Sequence, residues 1–476
     1  MHFLMSLAFG AVLFLAVCAT LSVALPSGRS DPLFIGTRLE PLIDDYLIER
    51  MDGVQLVLHK PVPREIAIDH NQPWEGNTCT YHTVFRDGNL FRMYYRGSHY
   101  DEATRQSAHP EVICYAESKD GIHWRKPNLG LFTFNGSRQN NIVWMGEFGT
   151  HNFAPFKDTN PHCPPEARYK ALASGKGGLY AFRSADGLRW SLMSDKPVIT
   201  EGDFDSLNTA FWDEVGQRYV DFHRKSREGV RDIMTCASTD FLTWTKPEFL
   251  SYPGAPKEHL YTNAILPYFR APHIFLGFPK RFVPDRNPMN HVYPGVSDGL
   301  FMSSRDGKIF KRWGEALIRP GLQPARWVNR NNLIAWGLLE TASDIPDAPH
   351  ELSLYSTENY YRGASCRLRR FTVRLDGFVS AQAPLRGGEF VTKPLVFNGK
   401  TLLLNFSTSA AGSIHIEVQD EEGKPLPGFT SSEIVGDSVE YAVSWERGSD
   451  LGSLAGRPIR LRFIMKDADL YSIRFR

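Results

Sequence analysis

The sequence predicts an all-β chain, a five-bladed β-propeller followed by a C-terminal β-sandwich. Three observations predict it. A Ser-x-Asp turn closed by an aromatic residue recurs along the chain, hairpins of strand formers stand between its copies, and the pattern changes after Gly387-Gly388.

The turn Ser118-x-Asp120-Gly121-x-x-Trp124 returns as Ser184-x-Asp186-Gly187-x-x-Trp190 and as Ser238-x-Asp240-Phe241-x-x-Trp244. A fourth copy, Ser304-x-Asp306-Gly307, ends on Phe310, and Ser356-x-Glu358 is a degenerate fifth. The spacing, roughly 50 to 70 residues, is the scale of one propeller blade. Each copy follows a short run of strand formers, at 112–116, 179–182, 233–236 and 300–302, and its Ser and Asp side chains suit a turn because they hydrogen-bond nearby backbone. Upstream lies a further strand pair, as at 81–85 and 90–95 around Asp87-Gly88, which reads as a hairpin. Each unit is therefore four antiparallel strands. Five units place the propeller at 30–388, with strand 55–58 expected to complete the ring; radial repetition of this kind hides sheet edges. At 390–476 the strands 402–406, 414–418, 440–443, 459–464 and 470–475 alternate with turns and predict the β-sandwich.

Composition narrows the function classes. The chain of 476 residues carries 54 Lys+Arg against 53 Asp+Glu, so no global field holds a polyanion and nucleic acid is not an expected partner. Hydrophobic residues make up 42% and aromatics 12%, enough for a sizeable core. Residues 3–24 hold no Asp, Glu, Lys or Arg and end on Ser22-x-Ala24, which predicts a signal peptide over 1–24, a secreted or periplasmic destination, and no membrane association after cleavage. An uncleaved anchor is the alternative. Cys79, Cys114, Cys163, Cys236 and Cys366 remain, an odd number without zinc-ligand spacing, and read as buried structural thiols. No metal and no organic cofactor is expected.

The export segment, the Ser-x-Asp-Gly-x-x-Trp turns and the C-terminal sandwich together resemble the five-bladed glycoside hydrolases of the invertase, fructanase and arabinanase type, and in particular secreted family-32-like glycosyl hydrolases of environmental bacteria. That resemblance implies carboxylates at the starts of the innermost strands of the first three blades, one serving as nucleophile or base, one orienting the sugar, and one as general acid. Such chemistry needs a protonated leaving oxygen and a carboxylate opposite it. Before strand 81–85 stands Pro73-Trp74-Glu75-Gly76-Asn77, with Glu75 in place of the family's Asn-Asp-Pro-Asn-Gly. Before 153–156 stands His151-Asn152, with no acid where the family has Arg-Asp-Pro. Before 209–212 stands Asp203-Phe204-Asp205-Ser206-Leu207-Asn208, which puts Asp205 at a strand start although the family's Glu-Cys is missing. The fourth unit offers Glu258 and Asn263.

The expected catalytic set is Asp205 with Glu75 or Glu340. Expected substrate contacts are Trp74, Asn152, Asn208, Glu258, Asn263, Arg224 and Arg281, with Trp327 a second ring for stacking. Loops joining second to third strands open on the same face and contain Arg96, His99, His109, Glu111, His223, Arg224, Lys225, Arg227, Lys280, Arg281, Asp298, Glu340 and Glu351. That basic content favours an anionic glycan, sulfated or uronate-bearing, if it lines the depression. Turn acids such as Asp120 and Asp186 are structural. The rival readings are a non-catalytic glycan-binding propeller, favoured by the missing second acid, and a sialidase-like enzyme, which would bring six blades and three clustered arginines.

Overall fold

Four strands in simple succession, paired antiparallel from first to fourth, recur as five separate sheets in a computed structural model that describes residues 31–476 except 447 and 449. The expected signal segment lies outside the described residues. Blade one is Thr80–Asp87, Leu90–Gly97, Val112–Ser118 and Trp124–Arg125. Blade two is Ala154–Lys157, Tyr169–Gly175, Gly178–Ser184 and Ser191–Leu192, and blade three is Thr209–Asp213, Arg218–Arg227, Val230–Ser238 and Glu248–Phe249. Blade four is Leu266–Tyr268, Ala271–Gly277, Met302–Ser304 and Lys311–Arg312, with its middle hairpin prolonged by Lys280–Val283 and Val296–Gly299. Blade five is Leu339–Thr341, Glu351–Glu358, Arg367–Arg374 and, from the N-terminal side, Val62–Asp69. Among the described residues no helix is long and apolar enough to cross a membrane.

Hydrogen bonds between neighbouring blades close the ring. The Tyr94 hydroxyl donates to Gly187 O at 2.8 Å, joining blades one and two. Asn152 Nδ2 reaches Ser206 O at 2.7 Å, and Asn263 Nδ2 reaches Leu207 O at 3.1 Å and Phe222 O at 2.9 Å, which tie blades two and four to blade three. Trp336 Nε1 donates to Ile265 O of blade four at 2.7 Å, while its backbone exchanges bonds with His82 and Val84 of blade one.

The recurring turns have one geometry. Ser118, Ser184, Ser238 and Ser304 each accept, at 2.9 to 3.0 Å, the amide three residues on. Asp120, Asp186, Asp240 and Asp306 each accept two amides at 2.7 to 2.8 Å. The aromatic that follows is a wedge: Trp190 stands edge-on to Phe153 at 5.0 Å and to Tyr94 of blade one at 6.2 Å. Trp190→Ala empties that wedge and is expected to cost about 3–5 kcal/mol, read as a lowered denaturant midpoint.

The ends of the ring differ from expectation. Ser356-x-Glu358 is not a fifth turn. It ends the second strand of blade five, where the Glu358 carboxylate is fully buried and accepts from Arg369 at 2.7 Å. Strand Gln55–Leu58 does not complete the ring either; it pairs with Val379–Ala383, and Val62–Asp69 closes blade five. Pro63 fits there because an outermost strand has a free edge that needs no amide.

The second unit therefore draws on both ends of the described chain. Leu33–Gly36, Glu40–Pro41, Ile48–Asp52 and Gln55–Leu58 all pair with strands after residue 378, so the expected boundaries 30–388 and 390–476 misassign residues 33–58. Alternation in the sequence identifies a strand but not its partner. Two long strands, Leu402–Gln419 and Arg460–Phe475, pair along both halves and bend at Gly412, where a Cβ would lie 2.3 Å from Asp467 O. In its core Phe390 stacks on its cross-strand partner Phe463 at 4.6 Å, and Phe397 on Phe475 at 3.9 Å.

Glu40 locks this unit to blade four. Its buried carboxylate meets Arg305 at 2.9 Å and His273 at 3.3 Å. Burial alone would raise its pKa, but His273, Arg305 and Arg38 hold it at about 2. A depressed carboxyl stabilises the fold above its unfolded pKa and loses that contribution as pH falls towards the folded value. The unfolding midpoint is therefore expected to fall from about pH 4.5 to about pH 2, and Glu40→Gln to flatten that dependence, as followed by denaturant titration across pH.

Candidate active site

At the mouth where the innermost strands begin, side chains from all five blades meet. Tyr81 of blade one carries its hydroxyl 3.1 Å from Asp205 O of blade three and 3.4 Å from the Tyr261 hydroxyl of blade four. Contacts between blades that are not neighbours in the ring place these groups on the axis. Tyr81 has a backbone φ of 56°, a left-handed conformation that costs a bulky residue energy and is held here by its surroundings. Ser206 Oγ donates to Tyr261 O at 2.6 Å and ties the Asp205 segment to blade four.

Cations surround this pair. Arg96 Nη2 donates to Tyr360 Oη and to Thr78 O at 2.9 Å each, and its guanidinium carbon lies 5.1 Å from the Tyr81 ring centroid. Lys280 Nζ lies 4.3 Å from the Tyr261 ring centroid, with Arg224 at 5.0 Å and Arg231 at 5.6 Å. Arg330, before the innermost strand of blade five, stands 5.6 Å from the Tyr361 ring. Two carboxylates answer these charges. Asp205, with 69% of its side chain exposed, pairs with Arg224, and Glu111 pairs with Arg96 at 3.2 Å and with His151 at 2.9 Å.

Some nitrogens of those cations are left unbonded. Lys280 Nζ and Arg224 Nε and Nη1 are buried without a hydrogen bond. Burial, followed by Arg330, Arg231 and Arg224, pushes the Lys280 amine well below its ordinary value. Burial alone would raise Glu111, but the His151 hydrogen bond and Arg96 hold its carboxyl below the usual range.

Of the residues expected from the sequence, the structure brings Asp205 and Arg224 together at the axis. Glu75 is elsewhere: its carboxylate is fully buried on the flank of blade one, 2.5 Å from the Tyr95 hydroxyl and 2.6 Å from Lys126 Nζ, and has no free face. Trp74 lies beside it with its indole N–H spent on Asn141 at 2.7 Å. Glu340 belongs to the innermost strand of blade five, at the far end of the channel, where it bonds His350 at 3.0 Å. That mouth is an apolar cavity of about 430 Å³ lined by Phe85, Phe156, Phe211 and Trp336. Asn152, Asn208 and Asn263 are buried braces whose amide nitrogens are bonded to backbone carbonyls, not substrate contacts. Glu258 and Arg281 pair with each other at 3.1 Å, and Asp298 grips Arg281 at 2.7 Å. They line a separate cleft of about 760 Å³ on blade four, together with Trp327.

Sequence reading missed Tyr81, Tyr261, Arg231 and Arg330, and recorded His151 only as the place of an absent acid. Tyr81 and Tyr261 do stand at strand starts, the same signal that picked out Asp205, but an apolar ring there reads as core. Arg224, Arg231 and Arg330 gather at this mouth together with Arg96. Among the described residues one group has metal-ligand spacing, Asp221, His223 and Cys236, all buried. Both nitrogens of His223 are engaged, by Asp221 at 2.5 Å and by Glu201 O at 2.9 Å, so the trio braces blade three.

No protein-family model matches the chain. An uncharacterized protein of Mycobacterium tuberculosis is 27% identical over 160 residues, 33% of this chain and 48% of that protein, and its counterpart from a second strain is 28% identical over 161. The chain spans about half the length of the curated relatives it matches. Similar solved structures include a glycoside hydrolase, 13% identical with a TM-score of 0.44, covering 66% of this chain and 92% of that one. An endo-arabinase from Bacteroides thetaiotaomicron is 9% identical with a TM-score of 0.40, covering 65% and 98%. A GH32 β-fructofuranosidase of Bombyx mori is 10% identical with a TM-score of 0.40, covering 88% and 94%. None of these likenesses assigns a role to a residue of this chain.

Proposed function

We propose that the chain hydrolyses glycosidic bonds of an acidic saccharide at the axial depression, with Asp205 as the carboxyl that protonates the leaving oxygen. The observation that carries this reading is the exposed Asp205 carboxylate set at the axis against Arg224, whose Nε and Nη1 are buried and unbonded, and the buried, unbonded amine of Lys280. An anion would supply the hydrogen bonds that these buried nitrogens lack. A uronate carboxylate or a sulfate ester supplies that anion and offers the flat or tetrahedral oxygens that guanidinium groups grip. When the substrate's anion engages Arg224, the Asp205 carboxyl is left to serve the leaving oxygen. Export directed by residues 1–24 puts this activity outside the cytoplasm, where such polymers are met; N-terminal sequencing of protein recovered from the medium should begin at Leu25.

The test is sugar release from a panel of uronate-bearing, sulfated and neutral polysaccharides, with wild type beside Asp205→Asn. Release from acidic polymers alone, lost in the variant, is the expected result. Binding to acidic polymers without release would instead make the propeller a glycan-binding module.

A further inference from the structure

We propose that the cleft on blade four is a second saccharide site, an inference that rests on the acidic-saccharide reading of the axial depression and gives that polymer another point of attachment. The two sites are opposite faces of one ribbon. Strands Lys280–Val283 and Val296–Gly299 pair antiparallel, with Arg281 opposite Asp298 and Val283 opposite Val296. Successive side chains of a strand point to opposite faces. Lys280 and Phe282 therefore share the face that meets the Tyr261 ring, while Arg281, Val283, Val296 and Asp298 share the other and line the cleft. Its volume of about 760 Å³ lies within the range, about 300–1,000 Å³, of pockets that take small organic ligands.

Ion pairs fix the walls of this cleft. Arg281 forks onto Asp298 at 2.9 and 2.7 Å, and its Nη1 donates to Glu258 at 3.1 Å and to Gly314 O at 2.9 Å, which ties the ribbon to the facing wall. Arg312 takes the other Glu258 oxygen. Those groups satisfy one another and leave two cations over, Arg286 beyond Val283 and Arg319 on the segment that follows Gly314. Both are exposed, and neither forms an ion pair or a side-chain hydrogen bond among the described residues. Glu315 is the lining acid that stays against them, so the balance of the cleft is positive. Trp327 adds an apolar surface. Its indole N–H is spent on Gly321 O at 2.8 Å, and the half-buried ring lines the cleft.

An indole beside free guanidinium groups suits an acidic sugar. The C–H face of a pyranose packs on the ring as an apolar surface, and a uronate carboxylate or sulfate ester at the sugar's edge takes the forked donors of Arg286 and Arg319. A neutral sugar would use the ring and leave both arginines idle. A polymer that occupies both faces of the ribbon also gains by linkage. Once one stretch is bound, the next meets its site at a high effective concentration, so affinity rises with chain length without any new contact. A short oligosaccharide fills one site at a time and gains nothing.

The experiment runs the full chain through native gels containing polygalacturonate, alginate or dextran sulfate, with sugar release from the same polymers assayed alongside. The Lys280→Met chain, weakened at the axis, is expected to remain retarded by at least one of the three. In that background Arg286→Ser combined with Arg319→Ser, and separately Trp327→Ala, should weaken binding about tenfold or more, while Trp327→Phe restores it. In the otherwise wild-type chain the same arginine pair should raise KM for the polymer relative to KM for its trisaccharide. Circular dichroism checks the fold, and the arginine variant, at exposed positions, keeps the test open should Trp327→Ala unfold. Absence of retardation, or retardation indifferent to the arginine pair and to Trp327, overturns the cleft as a site and leaves the hydrolytic reading to its own assay. Retardation that depends on these residues, with no sugar released from any acidic polymer, overturns the hydrolytic reading and leaves the cleft standing. Equal retardation by the chosen polymer and its uncharged counterpart overturns the acidic class of the ligand.

Discussion

Asp205→Asn is expected to lower kcat on an acidic polysaccharide by about 100- to 10,000-fold, the range over which a general acid contributes. The same change should lower KM. Asp205 competes with the substrate's anion for Arg224, and an amide in its place is a weaker competitor while still accepting a hydrogen bond. Its side chain is largely exposed, so the unfolding midpoint should stay within the small range of surface substitutions. Steady-state kinetics with a denaturant titration separate these effects, and a fall in kcat accompanied by a rise in KM would show that Asp205 holds substrate instead of reacting.

Lys280→Met is the second large effect, and it should fall on KM. The amine is fully buried between Tyr261 and Phe282 with no hydrogen-bond partner, so methionine of similar length fills the space and spares the burial of a polar group. The fold should be at least as stable. Binding should not: an anion would recharge the amine, and a charged hydrogen bond is worth about 1.5–3 kcal/mol, so KM for an acidic substrate should rise about 10- to 100-fold with kcat little changed. The pH dependence has a definite sign. Because burial and its arginine neighbours depress Lys280, its protonated form gains weight as pH falls, and an anion binds that form. Binding should therefore tighten with falling pH and take up a proton, measurable by calorimetry in buffers of different ionisation enthalpy. Lys280→Met should abolish the uptake.

The parts of the fold legible in the sequence are those fixed by local chemistry. Ser and Asp side chains that hold three turn amides do so wherever they stand, which is why four turns repeat with nearly the same distances. The fourth strand of blade five was not legible, because residues 55–58 and 62–69 are both short strand-forming runs and only tertiary packing decides which one meets Arg367–Arg374. The site divides in the same way. Asp205 follows from its place before an innermost strand, and Arg224, expected in a loop, is brought to the same mouth by the second strand of blade three, Arg218–Arg227. Glu75 also precedes an innermost strand, but Lys126, 51 residues away, turns its carboxylate into a buried ion pair. Glu340 shows the cost of one misread strand: taken as part of a loop it would face Asp205, whereas on the innermost strand it faces the opposite mouth. The buried asparagines look like substrate ligands in a sequence because an amide serves a sugar hydroxyl and a backbone carbonyl equally well.

The central claim is that the axial cations demand an acidic substrate for hydrolysis. Its most direct measurement is the initial rate of reducing-end release by wild type from a polyuronate and from the same polymer after its carboxyl groups have been reduced to alcohols. Linkages and chain length are then equal and only the charge differs. Release from the polyuronate, with the reduced polymer slower by 100-fold or more, is the predicted result. Equal rates on the two polymers, or binding of both with no release, would contradict it.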